Sequence, residues 1–293
     1  MATVDTSSAW TTGLVDDASI FPPGNLPLDR AVAEHFAHQD SDYAALVGGF
    51  VVSDLKLPDL IDVLDERDDE RALGLNVVVT GGAGALEPAV RWAGRAPLTH
   101  LRAVELTLRD EDDLAHNALR MVTAVDNLGA DLDEVTVYVE LPRLDGEPSH
   151  GWLAALDEIA NRGLRAKFRT GGAEQFAFPT CGELGAAIDA ALDREIPFKC
   201  TAGLHHALRH HDPETGLTHH GFLNVLRATR AALDGEDPSD VLAEESAAAL
   251  LDGFDADAAA RTRQWFTGFG SCSVLEPHDD LVELGLLPAG AAR

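Results

Sequence analysis

The chain has 293 residues, 45% of them hydrophobic and 25% charged, with no apolar run long enough to cross a bilayer. Twenty-two Lys and Arg against 50 Asp and Glu give a formal charge of −28, which sets the chain against nucleic acid and anionic membrane surfaces, since no basic run is segregated from the acids. Cys181, Cys200 and Cys272 are three widely spaced cysteines without a CxxC pair, indicating neither a disulfide framework nor a structural zinc site and fitting a reducing cytoplasm.

The first residues, Met1-Ala-Thr-Val-Asp-Thr-Ser-Ser, lack the charged and apolar regions of a secretory signal, and residues 1–12 read as a short loose tail. Apolar runs bounded by Gly, Pro or Asp then predict strands at Gly13–Asp17, Val47–Ser53, Leu73–Thr80 and Leu101–Thr107, followed by Val135–Leu141, Leu164–Arg169, Pro197–Thr201 and Gly268–Val274. Helix-period segments fall between them at Leu28–His38, Pro58–Glu66, Glu87–Ala93, Asp112–Leu128, His150–Arg162 and Pro179–Arg194, several opening on Ser, Asp or Pro.

Three more helices, Gly221–Leu233, Asp240–Leu251 and Asp255–Phe266, lie in the long gap before the last strand, and Asp279–Leu286 completes the eighth unit. Acidic stretches at Asp65–Glu70 and Arg109–Asp113 read as solvated faces and loops. Arginine in excess over lysine, with abundant alanine, marks a GC-rich genome or a salt-adapted host.

Single alternation of eight strands with helices predicts an α/β fold, one (β/α)8 TIM barrel of the aldolase type spanning 1–293, with a helical insertion after strand 7. Residues 207–266 are expected as an extended seventh βα connection that shapes the mouth. No helix shows a second apolar stripe separable from its core face, so pairing into a homo-oligomer is left open.

The chain holds three lysines, and two of them sit at matching places in consecutive strands: Arg165-Ala-Lys-Phe-Arg-Thr-Gly-Gly172 and Pro197-Phe-Lys-Cys-Thr-Ala-Gly-Leu-His-His206. Side chains alternate along a strand, so Lys167 shares a face with Arg169, Lys199 with Thr201, Glu140 with Tyr138 and Glu105 with Thr107. A packed barrel interior is mostly branched and apolar, so charges at the C-terminal strand ends are site candidates. Strands about 4.8 Å apart allow two inward lysines to lower each other's pKa, aided by desolvation. A neutral lysine beside acids that move protons is what Schiff-base chemistry needs. A buried structural salt bridge from each Lys to Glu105 or Glu140 is the plainer alternative.

These motifs resemble the deoxyribose-phosphate aldolases and related class I aldolase barrels. Lys167-Phe-Arg-Thr-Gly171 matches the family's Lys-x-x-Thr-Gly on strand six, Lys199-Cys-Thr-Ala-Gly-Leu-His205 is similar to Lys-x-Ala-Gly-Gly-apolar-Arg on strand seven, and Phe269-Gly-Ser-Cys-Ser273 resembles Phe-Gly-x-Ser-Ser on strand eight. The resemblance implies a cofactor-independent barrel in which Lys167 forms the imine with a small carbonyl substrate and Lys199 tunes it. It also implies that Glu105, an aspartate in the family, relays protons through water with Glu140 beside it, and that Asp16 lines the mouth.

The family holds phosphate on backbone N–H groups of Gly-rich turns, a part open here to Gly171, Gly172, Gly203, Gly270 and Ser271, with Thr170 and Thr201 beside the lysines. Phe168, Arg169 and His205 depart from the family pattern, and Arg169 is instead suited to a carboxylate through its planar fork.

Other readings stay open. The pairs His205-His206, His210-His211 and His219-His220, with Glu105 and Glu140, suggest a metal-dependent hydrolase or lyase, although no HxH or HExxH spacing occurs. Otherwise the histidines are polar lid residues, with His205 nearest the strand end. Asp16-Asp17 before Ser19-Ile-Phe-Pro-Pro-Gly24 reads either as an acid at the mouth or as Asp bonding its own turn. A non-catalytic ligand-binding barrel with inert lysines is the third reading.

Overall fold

A computed structural model describes residues 6–67, 70–109, 112–172, 174–213 and 215–289. Residues 1–5 of the expected tail, and parts of both acidic stretches (68–69 and 110–111), lie outside the described residues. The first half of the chain alternates β1 (Val15–Asp17), α1 (Leu28–Gln39), β2 (Val47–Ser53), α2 (Leu57–Asp65), β3 (Leu73–Val79), α3 (Leu86–Ala93), β4 (Thr99–Thr107) and α4 (Leu114–Leu128). The pattern continues with β5 (Thr136–Glu140), α5 (His150–Asn161), β6 (Arg165–Arg169), α6 (Cys181–Leu192) and β7 (Phe198–Thr201). A small hairpin follows, β8 (His210–His211) with β9 (Thr218–His219), then α7 (Phe222–Leu233), α8 (Pro238–Ala243), α9 (Ala247–Leu251), α10 (Ala256–Thr262), β10 (Phe266–Ser271) and α11 (Leu275–Glu283).

Eight parallel strands close in the order β1, β10, β7, β6, β5, β4, β3, β2, so the expected (β/α)8 barrel is the fold. Local chemistry starts the helices: Asp113 accepts the His116 N–H at 2.9 Å, Ser149 the Trp152 N–H at 3.2 Å, and Thr180 with Glu183 forms a capping box. α11 begins four residues earlier than Asp279, because Ser273 Oγ accepts the Glu276 N–H at 3.2 Å and Pro277 sits in the first turn, where its missing N–H costs nothing. The helix expected over Asp240–Leu251 is two helices. Buried Asn224 of α7 donates from Nδ2 to the carbonyls of Val241 (2.9 Å) and Glu244 (2.7 Å), ending α8, and Ser246 caps α9 afresh.

The strands bury Val15, Phe50, Val52, Leu75, Val77, Val104, Leu106, Val137, Val139, Phe168, Phe198 and Phe269 against the surrounding helices. The opposite parity faces inward and, beside Val51, Val78 and Ala103, is not the branched apolar filling expected. It holds Asp16, Gly49, Asn76, Glu105, Tyr138, Glu140, Lys167 and Lys199, mostly buried, so an ionic path runs through the barrel interior.

Residues 6–12 are no loose tail. Thr6–Thr11 form a 3-10 helix packed on α10, and Trp10, buried, meets the Phe254 ring edge-on at 5.4 Å. Arg263 sits beneath the barrel. Its guanidinium donates to the carbonyls of Trp10, Phe266 (3.0 Å) and Thr267 (2.6 Å), joining the chain before β1 to the start of β10, and burial pulls its pKa down to about 10. Arg263→Met strips these carbonyls of their donor and is expected to cost about 3 kcal/mol, read as a lower urea midpoint at unchanged slope.

The segment 207–266 is divided by α7, which runs back along the barrel from the strands' C-terminal ends. Only the β8–β9 hairpin belongs to the seventh βα connection. α8, α9 and α10 join α7 to β10 and so lie toward the N-terminal ends of the strands, away from the mouth, with α10 against the Thr6–Thr11 helix.

Candidate active site

β6 and β7 pair with Lys167 directly opposite Lys199, and β5 sets Glu140 opposite Lys167. Glu105 reaches in from β4 and divides its carboxylate between them: Oε2 lies 2.7 Å from Lys167 Nζ and Oε1 2.7 Å from Lys199 Nζ. Each lysine has a second acid. Lys167 Nζ is 2.9 Å from Glu140 Oε2, and Lys199 Nζ is 2.5 Å from Asp16 Oδ2. The chain of charges reaches the mouth through Arg169, whose Nε donates to Glu140 Oε1 at 3.1 Å. Three acids and three bases from five strands alternate along one path.

Packing holds the path in place. Asp16 Oδ1 accepts the Gly49 N–H at 2.7 Å, and a Cβ at Gly49 would stand 2.6 Å from Asn76 Oδ1, so only glycine fits between them. The Tyr138 ring lies 5.3 Å from Lys199 Nζ. Its hydroxyl bonds Thr267 Oγ1 at 2.9 Å, and Thr267 in turn donates to the Phe198 carbonyl at 3.0 Å.

This arrangement corrects the expected electrostatics of the lysine pair. Burial does oppose the charge on Lys167, and Lys199 opposes it too, but Glu105 and Glu140 outweigh both and raise its pKa above the ordinary lysine value. Lys199 is likewise raised against burial, by Asp16 and Glu105. Glu105 is driven the other way: burial favours its acid form, yet the two ammonium groups hold its pKa down to about 2, and Glu140 is lowered similarly by Lys167 and Arg169. At rest both lysines are ammonium ions.

Asp16 and Asp17 divide the two readings of their turn. Asp16 joins the interior network. Asp17, on the other face of β1, accepts the Ser19 N–H at 3.1 Å and meets buried His35 of α1 at 2.9 Å.

The remaining candidates are spread around the rim. Thr170 donates its hydroxyl to the carbonyls of Thr201 (3.2 Å) and Ala202, tying the end of β6 to β7. Gly171 and Gly203 meet backbone to backbone: a Cβ on Gly171 would stand 2.9 Å from the Gly203 Cα, and Gly203 has φ +77°. Both glycines are thus required by loop packing. Gly172 is exposed beside them. Thr201 shares the Lys199 face, next to Gly270. Ser271 is buried, and its Oγ accepts the Ser273 N–H at 3.3 Å.

His205 stands apart from the lysines, 2.9 Å from Glu276 and 3.8 Å from Cys272 Sγ. Burial opposes its charge, but the Cys272 and Glu276 contacts raise its pKa to about 10. His206 pairs with Asp280, and the His206, His210 and His219 rings pack in series at 4.7 and 5.1 Å. Glu105 and Glu140 are held by lysine in the interior while the histidines line the rim. Among the described residues no three His, Cys, Asp or Glu side chains gather where they could hold a metal ion. The donors of the metal reading are therefore in two separate places.

Sequence reading missed Gly49, Asn76 and Arg263. The signal was present for Asn76, a lone amide inside the apolar run Leu73-Gly-Leu-Asn-Val-Val-Val79.

A cavity of about 650 Å³ opens instead among α7 to α10, lined by Arg227, Arg230, Asp234, Asp240 and Arg261 among others. Arg230 is paired with Asp234 there, and no lysine, cysteine or histidine lines it, so it offers neither nucleophile nor imidazole base. No described helix is long and apolar enough to cross a membrane. Comparison with known proteins finds no matching family model, no matching curated protein and no matching solved structure.

Proposed function

We propose that the chain is a cofactor-independent class I aldolase or closely related Schiff-base lyase acting on a small carbonyl compound. The observation that carries this reading is the convergence of Lys167 and Lys199 on the single carboxylate of Glu105, with Glu140 opposite Lys167 as its second acid. Lys167 is the nucleophile in this reading, because it stands one layer below Arg169 toward the C-terminal end of its strand, where barrel enzymes carry out their chemistry, and shares Glu140 with it. Three unpaired cysteines fit a cytoplasmic setting.

Imine formation needs the free amine. The Lys167 ammonium passes a proton to Glu140, already in hydrogen-bond contact, and its nitrogen attacks the carbonyl carbon. The adduct nitrogen gives up a second proton to the alkoxide oxygen, and the carboxylic acid returns the first to the resulting hydroxyl, which leaves as water while the C=N bond forms. Glu105 and Lys199 keep the charge of the site constant through these transfers. Because the resting pKa of Lys167 is raised, the free amine is a minor species at neutral pH.

Borohydride reduction in the presence of small aldehydes and ketones, followed by mass mapping, tests the reading. A selective adduct is expected at Lys167 and absent without borohydride. Its initial rate should be nearly independent of pH between about 7 and 9, since the proton that frees the amine moves to Glu140, and the pair titrates outside that range with Glu140 lowered and Lys167 raised. A rise of about tenfold per pH unit would show that the amine is freed by loss of its proton to solvent and not to Glu140.

The full pairing of both lysines favours a second reading, a non-catalytic ligand-binding barrel in which the network is structural. It predicts no carbonyl adduct at Lys167 under conditions in which exposed Lys56 reacts.

A further inference from the structure

The Schiff-base reading leaves the substrate class open, and the two sides of the mouth differ in what they offer an anion. On one side Arg169 stands a layer above Lys167 on the same face of β6, its side chain 44% exposed where that of Lys167 is 4%. Glu140 Oε1 fixes its Nε at 3.1 Å, and among the described residues its two terminal nitrogens make no hydrogen bond. The guanidinium is thus pre-oriented with its outer edge free, the geometry that takes a carboxylate in a paired hydrogen bond. Since Glu140 gives one oxygen to Lys167 and the other to Arg169, amine and guanidinium are spaced to the scale of one carboxylate. A molecule whose carbonyl carbon is bonded directly to a carboxylate carbon matches that spacing.

On the other side, after β7 and β10, two carboxylates already stand among the anion-attracting groups. Glu276, in the first turn of α11, binds His205 at 2.9 Å, and Asp280 accepts the backbone N–H of Ala207 at 2.7 Å and pairs with His206 at 3.1 Å. A phosphate arriving there meets two like charges and finds the His205 and His206 imidazoles and the Ala207 N–H taken.

We propose that the substrate is a 2-oxo carboxylate, its carboxylate held by the outer edge of Arg169 while its C2 carbonyl condenses with Lys167, and that phosphorylated carbonyls are disfavoured. The condensation forms the C=N bond and releases one water, as above, and needs no further reactant. This inference rests on the Schiff-base reading, and its test separates the two.

Borohydride trapping is measured against concentration for pyruvate, methyl pyruvate, acetone and glyceraldehyde 3-phosphate. Methyl pyruvate is the more electrophilic ketone, so a preference for the free acid reports binding of the carboxylate. Pyruvate is expected to half-saturate Lys167 labelling at a concentration lower than its methyl ester by about tenfold or more, the scale of a charged hydrogen-bonded pair. Arg169→Gln should bring the ratio of pyruvate to methyl pyruvate labelling toward one. Equal labelling by the acid and its ester in the unaltered protein, or strongest labelling by the phosphorylated aldehyde, overturns the 2-oxo acid assignment while leaving the imine lysine standing. Absence of a Lys167 adduct with all four compounds overturns the Schiff-base reading itself.

Discussion

Glu105→Gln is expected to destabilise the protein by about 3–5 kcal/mol, the cost of removing one partner from buried ion pairs and leaving its counter-ions uncompensated. Among the described residues the carboxylate is the only one that touches both interior lysines, at 2.7 Å each. With glutamine in its place, Lys167, Lys199 and Arg169 share Glu140 and Asp16 alone. Urea unfolding followed by circular dichroism checks the size of the loss, and pH checks its origin. Glu105 titrates near 2 in the folded protein against about 4.5 for an ordinary glutamate. Its contribution is therefore complete above pH 4.5 and lost as pH falls toward 2. The unaltered protein should lose stability through that window more steeply than the variant. Parallel acid limbs would mean that Glu105 is not the charge that holds the pair.

Lys167→Met is expected to abolish carbonyl trapping and to lower any carbon–carbon bond-forming or bond-breaking activity on the order of ten-thousand-fold or more, as loss of a covalent nucleophile does. Its structural cost should be far smaller than that of Glu105→Gln. Glu140 keeps Arg169, Glu105 keeps Lys199, and the desolvation of one ammonium is relieved. A fully folded, inactive Lys167→Met protein assigns chemistry to the residue. A variant that loses stability from a parent that never formed an adduct assigns it to the scaffold. Activity and stability thus move independently at Lys167 and together at Glu105.

The lysines were legible because lysine is so scarce here that two at matching strand positions stand out, and because alternation alone fixes which residues share their face. Glu105, Glu140 and Arg169 follow by the same parity. The sign of the lysine pKa was not legible, since it depends on whether acids from β1, β4 and β5 come closer to each ammonium than the other ammonium does. Strand order supplies neighbours but no distances.

The same limit explains Asp16 and Asp17, adjacent residues of which either parity alone could face inward. Register with β2 and β10 and the contact with His35 decide between them. The break between α8 and α9 arises from Asn224, 17 residues before Val241, and the packed Thr6–Thr11 helix from contacts with α10 far along the chain. The packed helix leaves no local mark in the sequence, and the break leaves only its capping Ser246.

The ionic path also bears on how the barrel assembles. Cut between β4 and β5, the chain carries Asp16 and Glu105 in its first half and Glu140, Lys167, Arg169 and Lys199 in its second. Along the path the two halves then carry two negative charges against two positive. Neither half can desolvate its own interior, and each supplies what the other lacks. Closure of the β4–β5 and β1–β10 seams neutralises both at once, so charge matching works as a selector for the intact ring over half-barrels paired with themselves.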